Sequence, residues 1–480
     1  MNQPLLFWFR KDLRLTDNTA LKVAAETGRP VICTYILDED SDSPWPPGKA
    51  SRWWLQESLK SLDLSLQQFQ LQLVLRRGDS VEQLSQLIEE TGASSLYFSA
   101  QYEPSSLALE QRVNLALKDQ IEVKRFKGYL LYEPNENVTA EGKSYKVFTP
   151  FYKACLKKPP AKALPAPEQI SVYSEYLASD DLLDWDLALD TPTWAQEYPP
   201  IWKPGEDGAD WSLQAFIRQG VGKYPELRNR PDVFGTSRLS PHLHFGEISP
   251  RQIWNAINQF HSTDSEGATS YQRELIWREF SYNLLINWPD FPEQPFRPEF
   301  NAFPWHDNES ALHRWQQGQT GYPIVDAGMR ELLHTGWMHN RVRMIVASFL
   351  IKDLLIPWQK GEKWFWQHLL DANLASNSAS WQWVAGCGAD AAPYFRVFNP
   401  VLQGEKFDPN GDYVRQWVPE LDRLSKAYIH CPWEAQAEEL RLAEISLDKT
   451  YPSPIVDHKQ ARLRALEAFD VIKKKVQATA

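Results

Sequence analysis

Short apolar runs alternate with amphipathic periodic segments over the first third of the chain. Residues 5–9, 31–37, 71–75, 96–99 and 123–131 have strand length, while 18–26, 51–69, 81–91 and 103–117 carry apolar positions at helical spacing. In the second of these, Trp54, Leu55, Leu59 and Leu62 fall on one face. Strand–helix alternation predicts a parallel sheet with helices on both faces, within residues 1–135.

From 136 to 204 the pattern breaks. Pro159, Pro160, Pro165, Pro167, Pro199, Pro200 and Pro204 interrupt regular structure, and Asp180, Asp181, Asp184, Asp186 and Asp190 read as a solvated face. A long surface connection is expected, opening on a basic segment, KSYKVFTPFYK at 143–153, that either packs or binds anions. Beyond 205 the period is helical. Ser249-Pro250 starts one helix as a cap and first-turn proline. Further helices are predicted over 270–287, 325–334 (stopped by Gly336), 342–355 and 457–476. The fold class expected is therefore α/β plus all-α, with no internal repeat.

Composition narrows the function classes. The chain has 480 residues, a formal charge of −11, 43% hydrophobic and 24% charged residues. That is globular, and too long for one core. No apolar run is long enough to span a membrane, and Arg10, Lys11 and Asp12 arrive too early for an export leader, so a cytoplasmic protein is expected. Cys33, Cys155, Cys387 and Cys431 are scattered without a C-x-x-C pair, which argues against a disulfide framework or a cysteine zinc module. Of 21 tryptophans, fifteen follow residue 200. Indoles pack helical cores, but they also stack on flat cofactors or bases and pass electrons.

Several motifs carry candidate chemistry. Gly386-Cys-Gly-Ala-Asp-Ala391 imitates a dinucleotide fingerprint, but Pro393 and the helical surroundings exclude the required strand-to-helix context. His242 and His244 lack a third ligand at useful spacing, so no metal is assigned. Thr236-Ser-Arg-Leu-Ser240-Pro241 offers hydroxyls and a guanidinium to an anion, or simply starts a helix. Glu274, Trp277 and Arg278 stand at i, i+3 and i+4, an unusual core face but a sensible wall around something flat and polar. Asn340, Arg343 and Met344 form a second such group. Arginines inside an apolar helical region need partners. Asp371, Asn373, Asn377, Trp381 and Trp383 add an acid, two amides and two indoles.

These same residues carry a resemblance to the photolyase/cryptochrome flavoproteins over essentially the whole chain. RKDLRLTDN at 10–18, TSRLSP at 236–241, ELIWREF at 274–280, GYPIVDAGMRELLHTGWMHNRVRM at 321–344, ASNSASWQW at 375–383 and FNPVLQGEKFDPNGDYVRQWVPEL at 398–421 match that style, nearest to microbial photolyases of cyclobutane pyrimidine dimers. The resemblance implies a Rossmann-like antenna domain (1–135), a connector (136–204) and a helical FAD-binding catalytic domain (205–480). It assigns Tyr224, Thr236, Ser237, Arg238, Leu239, Ser240 and Arg278 to the FAD phosphate region. It places Arg343 with Asp371 beside the isoalloxazine, Asn373 nearby where many relatives have an acid, and Asn377 facing the flavin N5.

For the lesion it implies Glu274, Trp277, Asn340, Arg341, Met344 and Trp383. His339 alone stands where (6-4) enzymes carry paired histidines, so that substrate is disfavoured. Trp381, Trp358 and Trp305 would form an electron path and, with Glu274 and Asn377, the catalytic set. Methenyltetrahydrofolate is the first expectation for an antenna. Deazaflavin or none are the alternatives, because Pro-Ser-Ser-Leu follows Glu103 where folate-binding relatives have an Asn-Glu pair. The function implied is light-driven repair by a monomer acting on dimer-containing DNA. The alternative is a blue-light photoreceptor without repair, disfavoured by the chain's end soon after Lys473, Lys474 and Lys475.

Overall fold

The computed structural model describes residues 3–39, 43–188, 201–262, 265–391 and 395–479. Asp190, Trp194, Pro199, Pro200 and Pro393 lie outside the described residues, as do the side chains of Lys474 and Lys475. The chain forms two compact units, one of residues 1–222, 237–289 and 370–372, the other of 223–236, 290–369 and 373–480.

The first unit holds a five-stranded parallel sheet in the order β3-β2-β1-β4-β5. Its strands are β1 Leu5–Phe9, β2 Val31–Leu37, β3 Leu73–Arg77, β4 Ser95–Ser99 and β5 Glu122–Phe126, joined through α1 Thr19–Glu26, α2 Lys49–Gln67, α3 Ser80–Thr91 and α4 Pro104–Leu117. β1 sits at the centre and is buried along its whole length, as an apolar strand covered on both faces must be. β5 is one of the two edges, and its Glu122, Lys124 and Arg125 discourage further pairing. Leu6, Trp8, Ile32, Val74, Leu96 and Phe98 anchor one core layer with Leu84 and Leu87 of α3 and Val113 of α4. Side chains cap these helices: Asn18 accepts the Leu21 N–H at 3.1 Å, and Asp79 caps α3 while Gly92 closes it in the left-handed region. Two strand boundaries differ from the expectation. β3 runs two residues later than the apolar run, and β5 stops at Phe126 instead of reaching Leu131.

Helices α5 Phe148–Leu156, α6 Glu206–Gln219, α7 Ser240–Phe245, α8 Pro250–Phe260 and α9 Glu266–Asn287 complete this unit. α5 lies within the stretch expected to be irregular. Phe148, Phe151 and Cys155 are buried there, so the basic segment packs. Asp180, Asp181, Asp184 and Asp186 are exposed as expected. The RKDLRLTDN motif is a seam. Arg14, 1% exposed, donates to the carbonyls of Gly246 (2.8 Å), Asp17 (3.0 Å) and Gly128 (2.9 Å). The N–H groups of Leu15 and Thr16 both donate to Glu206 at 2.9 Å, and Asp17 pairs with Arg251. Gly246 has φ +68, and a Cβ there would lie 2.1 Å from the Lys11 carbonyl oxygen. Only glycine fits.

The second unit is helical, with α10 Pro323–Thr335, α11 Asn340–Ser348, α12 Trp358–His368, α13 Leu374–Ala385, α14 Pro400–Phe407 and α15 His458–Thr479. α10 ends at Gly336, φ +68, as its sequence signal requires. The helix expected over 342–355 is instead α11 followed by a π-helical turn, Phe349–Asp353. That turn buries Lys352 and Asp353, and Asp353 accepts from His458 at 2.6 Å. Two ionisable groups inside an apolar run are what the hydrophobic pattern alone does not resolve.

Candidate flavin and nucleic-acid site

The expected site residues divide between the two units. The first carries Ser237, Arg238, Leu239, Ser240, Glu274, Trp277, Arg278 and Asp371; the second carries Tyr224, Thr236, Trp305, Asn340, Arg341, Arg343, Met344, Trp358, Asn373, Asn377, Trp381 and Trp383.

In the first unit, the Ser237 hydroxyl shares a 2.7 Å hydrogen bond with Tyr271 and accepts from the Leu239 N–H at 3.3 Å. Burial pushes the Tyr271 phenol up, so it remains a neutral hydroxyl. Arg238 takes a left-handed backbone, φ +52, and its guanidinium sits 6.0 Å from the Trp202 ring centre. Ser240 is the first residue of α7. The cap position is Leu239, which has no side-chain acceptor to offer.

α9 presents Glu274, Trp277 and Arg278 half-buried on one face, while Leu275, Ile276, Glu279 and Phe280 are buried. Arg278 donates to the Tyr129 carbonyl at 3.0 Å and lies 4.5 Å above the Tyr129 ring. Its Nη2 is buried with no hydrogen-bond partner. A buried guanidinium nitrogen in that condition calls for an anion oxygen, so the residue fits a phosphate of FAD. His242 pairs with Glu247, and burial holds the His244 imidazole well below its ordinary range, as a neutral ring. Both histidines are packed groups.

Next to Arg278, Glu279 accepts from the N–H groups of Leu131 (2.9 Å) and Tyr132 (3.1 Å) through Oε2, while Oε1 is buried without a hydrogen bond. Burial, partly offset by Arg278, raises its carboxyl to about 7 from an ordinary 4.5. The folded state therefore holds an extra proton between those two values. The stabilisation from this group is complete below the lower value and is lost as pH rises through the upper one. Asn137 and Asn283 line the same small cavity, each with a buried side-chain oxygen lacking a partner. Glu279→Gln keeps the acceptor for both N–H groups and turns an amide donor towards those oxygens. We expect it to raise stability at pH 8 by about 1–3 kcal/mol and to flatten the decline between pH 5 and 8. Urea denaturation across pH checks this; a pH profile unchanged from the unaltered protein would refute it.

In the second unit, Tyr224 is buried with the Arg228 guanidinium 5.2 Å from its ring centre. Arg341 bonds the Asn229 side-chain oxygen at 2.7 and 3.2 Å and lies 4.5 Å over Phe407. Asn340 is exposed at the start of α11, and Arg343 donates to the Met338 carbonyl at 2.7 Å. Asn373 is the cap of α13. Its side-chain oxygen accepts the Ser376 N–H at 3.0 Å, a use that the family-style acid at this position would also serve.

Asn377 donates to the Glu362 carbonyl at 3.1 Å. Glu362 itself is fully buried. It accepts from Ser378 at 2.5 Å, its second oxygen has no partner, and burial pushes its carboxyl well above the usual range. Glu362, whose backbone carbonyl holds the amide expected at the flavin N5 while its acid group meets Ser378, is a residue that no sequence motif points to. Trp381 is 2% exposed and packs on Phe365 (5.0 Å) and Trp315 (6.3 Å); Trp358 is 1% exposed, and Trp305 is half-buried. Trp383 lines a cavity with Arg297, Lys352, Phe395 and Arg396. Gly386, φ +88, ends α13, so the false dinucleotide string lies at a helix C-terminus, the wrong end for phosphate.

A groove in the same unit is lined by Arg341, Arg396, Lys406, His458, Lys459 and Arg462, with exposed Leu402 at its side. None of its described lining residues is acidic. Such a strip attracts a polyanion.

A two-unit protein joining a parallel α/β sheet to a helical unit rich in buried indoles has the architecture of a flavin photoprotein. Residues 5–168 match the family model "DNA photolyase", and residues 271–471 match "FAD binding domain of DNA photolyase". The chain is 48% identical over 475 residues to the deoxyribodipyrimidine photo-lyase of Agrobacterium fabrum, covering 98% of each. It is 39% identical to Cryptochrome-1 of Arabidopsis thaliana, over 97% of this chain and 70% of that protein. The crystal structure of a bacterial class III photolyase from Agrobacterium tumefaciens superposes with a TM-score of 0.94 at 47% identity, covering 99% of this chain and 98% of that one. The chain belongs to the DNA photolyase family. No helix among the described residues is long and apolar enough to cross a membrane.

Proposed function

We propose that this protein is a light-driven lyase that splits cyclobutane pyrimidine dimers in DNA. The observation that carries the reading is the face of α9, where a half-buried indole stands beside a buried guanidinium with an unused N–H group. Fully reduced FAD, when bound, would supply light-driven transfer of one electron to the pyrimidine pair and its return, with no net consumption of reductant. Arg278, Arg343, Asp371, Tyr224, Asn373, Asn377 and the 236–240 segment would hold that cofactor. Glu274, Trp277, Asn340, Arg341, Met344 and Trp383 would receive a dimer flipped from the helix. The lesion is already poorly stacked, which lowers the cost of extrusion. Trp381, Trp358 and the less buried Trp305 would conduct electrons from the surface. The proposed functional division is an antenna domain over 1–135, a connector over 136–204 and a helical catalytic domain over 205–480, whereas the two compact units group 237–289 with the sheet.

Methenyltetrahydrofolate is the proposed antenna. Where the strand order reverses at the ends of β1 and β4, Glu110 already pairs with Arg10 and Arg125, and Lys11 pairs with Glu103 at 2.8 Å.

Blue light on purified protein with dimer-containing oligothymidine tests the proposal. Loss of the dimer supports it. Flavin photoreduction with the dimer untouched would favour a photoreceptor, the reading that the 39% identity to a cryptochrome keeps in view. The cationic groove makes a second expectation. In Lys406→Gln/Arg462→Gln, the log–log salt slope of DNA binding should fall by about 1.8 for duplex, or about 1.4 for single strands, if both contact phosphates. An unchanged slope in fluorescence titrations would remove the groove from the DNA-binding surface.

A further inference from the structure

Resting on the dimer-binding reading above, we propose that Phe148 is a positioning residue that fixes the plane of Trp277 and leaves one indole face to the extruded pyrimidine pair. Phe148 opens α5 inside the basic segment 143–153, which the functional reading does not otherwise use. It is 1% exposed, and its ring lies flat against the Trp277 indole, centroids 3.5 Å apart and planes 4° from parallel. Phe280 then meets both rings edge-on, 5.8 Å from each. On the outer side the Arg273 guanidinium stands 5.3 Å from the Phe148 ring centre and 5.5 Å from Tyr152. Arg273, Trp277 and Phe280 are spaced i, i+4 and i+7 on α9, so one helix face supplies three members of the cluster. The segment is fastened to that helix at a second point, where Asn283 donates to the Tyr145 carbonyl at 2.8 Å.

A lone half-buried indole on a helix turns about its two side-chain torsions, and a base stacking on it must first pay for fixing them. Contact of ring faces at van der Waals distance removes that freedom in the folded protein. One indole face is covered by Phe148, so a pyrimidine stacks on the opposite one. Pre-organisation of this kind strengthens binding without adding a contact to the ligand. The basic segment thus acts through its aromatic residue, and its lysines are bystanders to this effect.

The test compares Phe148→Leu, which keeps apolar volume but loses the flat ring, with Phe151→Leu, which loosens packing on Phe280 (5.4 Å) without a ring contact to Trp277. Binding is measured on holoenzyme with dimer-containing and undamaged oligothymidine, and thermal unfolding and flavin content are recorded for each variant. Phe148→Leu should weaken dimer binding about five- to tenfold while leaving undamaged DNA within about twofold, and Phe148→Tyr should restore the preference. Arg273→Gln, an exposed change with no folding risk, should weaken dimer binding about twofold by the loss of its cation from the stack. Equal losses in Phe148→Leu and Phe151→Leu, or dimer binding unaltered in both Phe148→Leu and Arg273→Gln, would overturn the inference. If Phe148→Leu does not fold, an unaltered Arg273→Gln alone overturns it. If the unaltered protein shows no preference for dimer DNA, the functional reading itself falls, a result separable from a preference that persists without the ring.

Discussion

Trp381→Phe is expected to abolish photoreduction of the oxidised flavin under blue light, with a thiol as external donor, while chemically pre-reduced protein keeps most of its repair. The indole sits in a closed aromatic setting. It meets Phe365 edge-on at 5.0 Å and Trp315 at 6.3 Å, and Gly361 of α12 approaches so closely that a Cβ there would fall 2.2 Å from the indole edge. On the proposed path, in which electrons enter through Trp305 and Trp358, Trp381 is the oxidisable ring nearest the flavin, and phenylalanine does not supply one. The structural side effect is small by comparison. Phenylalanine keeps the edge contact with Phe365 and leaves a void of part of an indole, a loss of about 1–2 kcal/mol that denaturation would register separately. Equal loss of photoreduction and repair would show that Trp381 serves the lesion or the fold instead of conduction. Photoreduction at the unaltered rate would remove it from the path.

How far such roles could be read from the chain depended on distance in sequence. The strands and helices of the sheet half were legible because each buried face repeats within one element, and elsewhere Ser249 and Gly336 mark helix ends by a local hydrogen bond and by backbone sign. The boundaries of β3 and β5 were not, since apolar residues continue beyond the ladder. Spacing on α9 put Glu274, Trp277 and Arg278 on one face, as the structure has them. It did not show that Phe148 covers Trp277 or that the Glu362 carbonyl accepts from Asn377, because those pairs join separate elements and neither residue belongs to a recognisable motif. RKDLRLTDN identified a family without disclosing its work. In the structure Arg14 donates to backbone carbonyls, and Asp17 accepts from the Ser249 hydroxyl and pairs with Arg251, a structural use that hydrophobic periodicity does not report. The π-helical turn at 349–353 likewise left no trace in the apolar pattern.

The largest expected loss of stability comes from another such residue. Glu247→Ala should destabilise the protein by about 3–5 kcal/mol, because its carboxylate is fully buried and serves three donors from three places in the first unit. Oε1 accepts from the Trp54 indole N–H of α2 at 2.9 Å and from the Gly205 N–H, just before α6, at 2.8 Å, and Oε2 pairs with His242 of α7. Alanine leaves those buried donors without their acceptor, which is the expensive way to lose a hydrogen bond. Glu247→Gln separates this account from simple loss of volume. The glutamine oxygen keeps Trp54 and Gly205, and its amide turns to His242 Nδ1, which accepts once the imidazole proton moves to the other nitrogen. Glutamine should therefore cost about 1 kcal/mol, well under the cost of alanine. Urea denaturation of the three proteins decides the matter. Alanine and glutamine variants of equal stability would show that the packing around Trp54 and Trp202, rings 5.7 Å apart, holds this seam without the carboxylate.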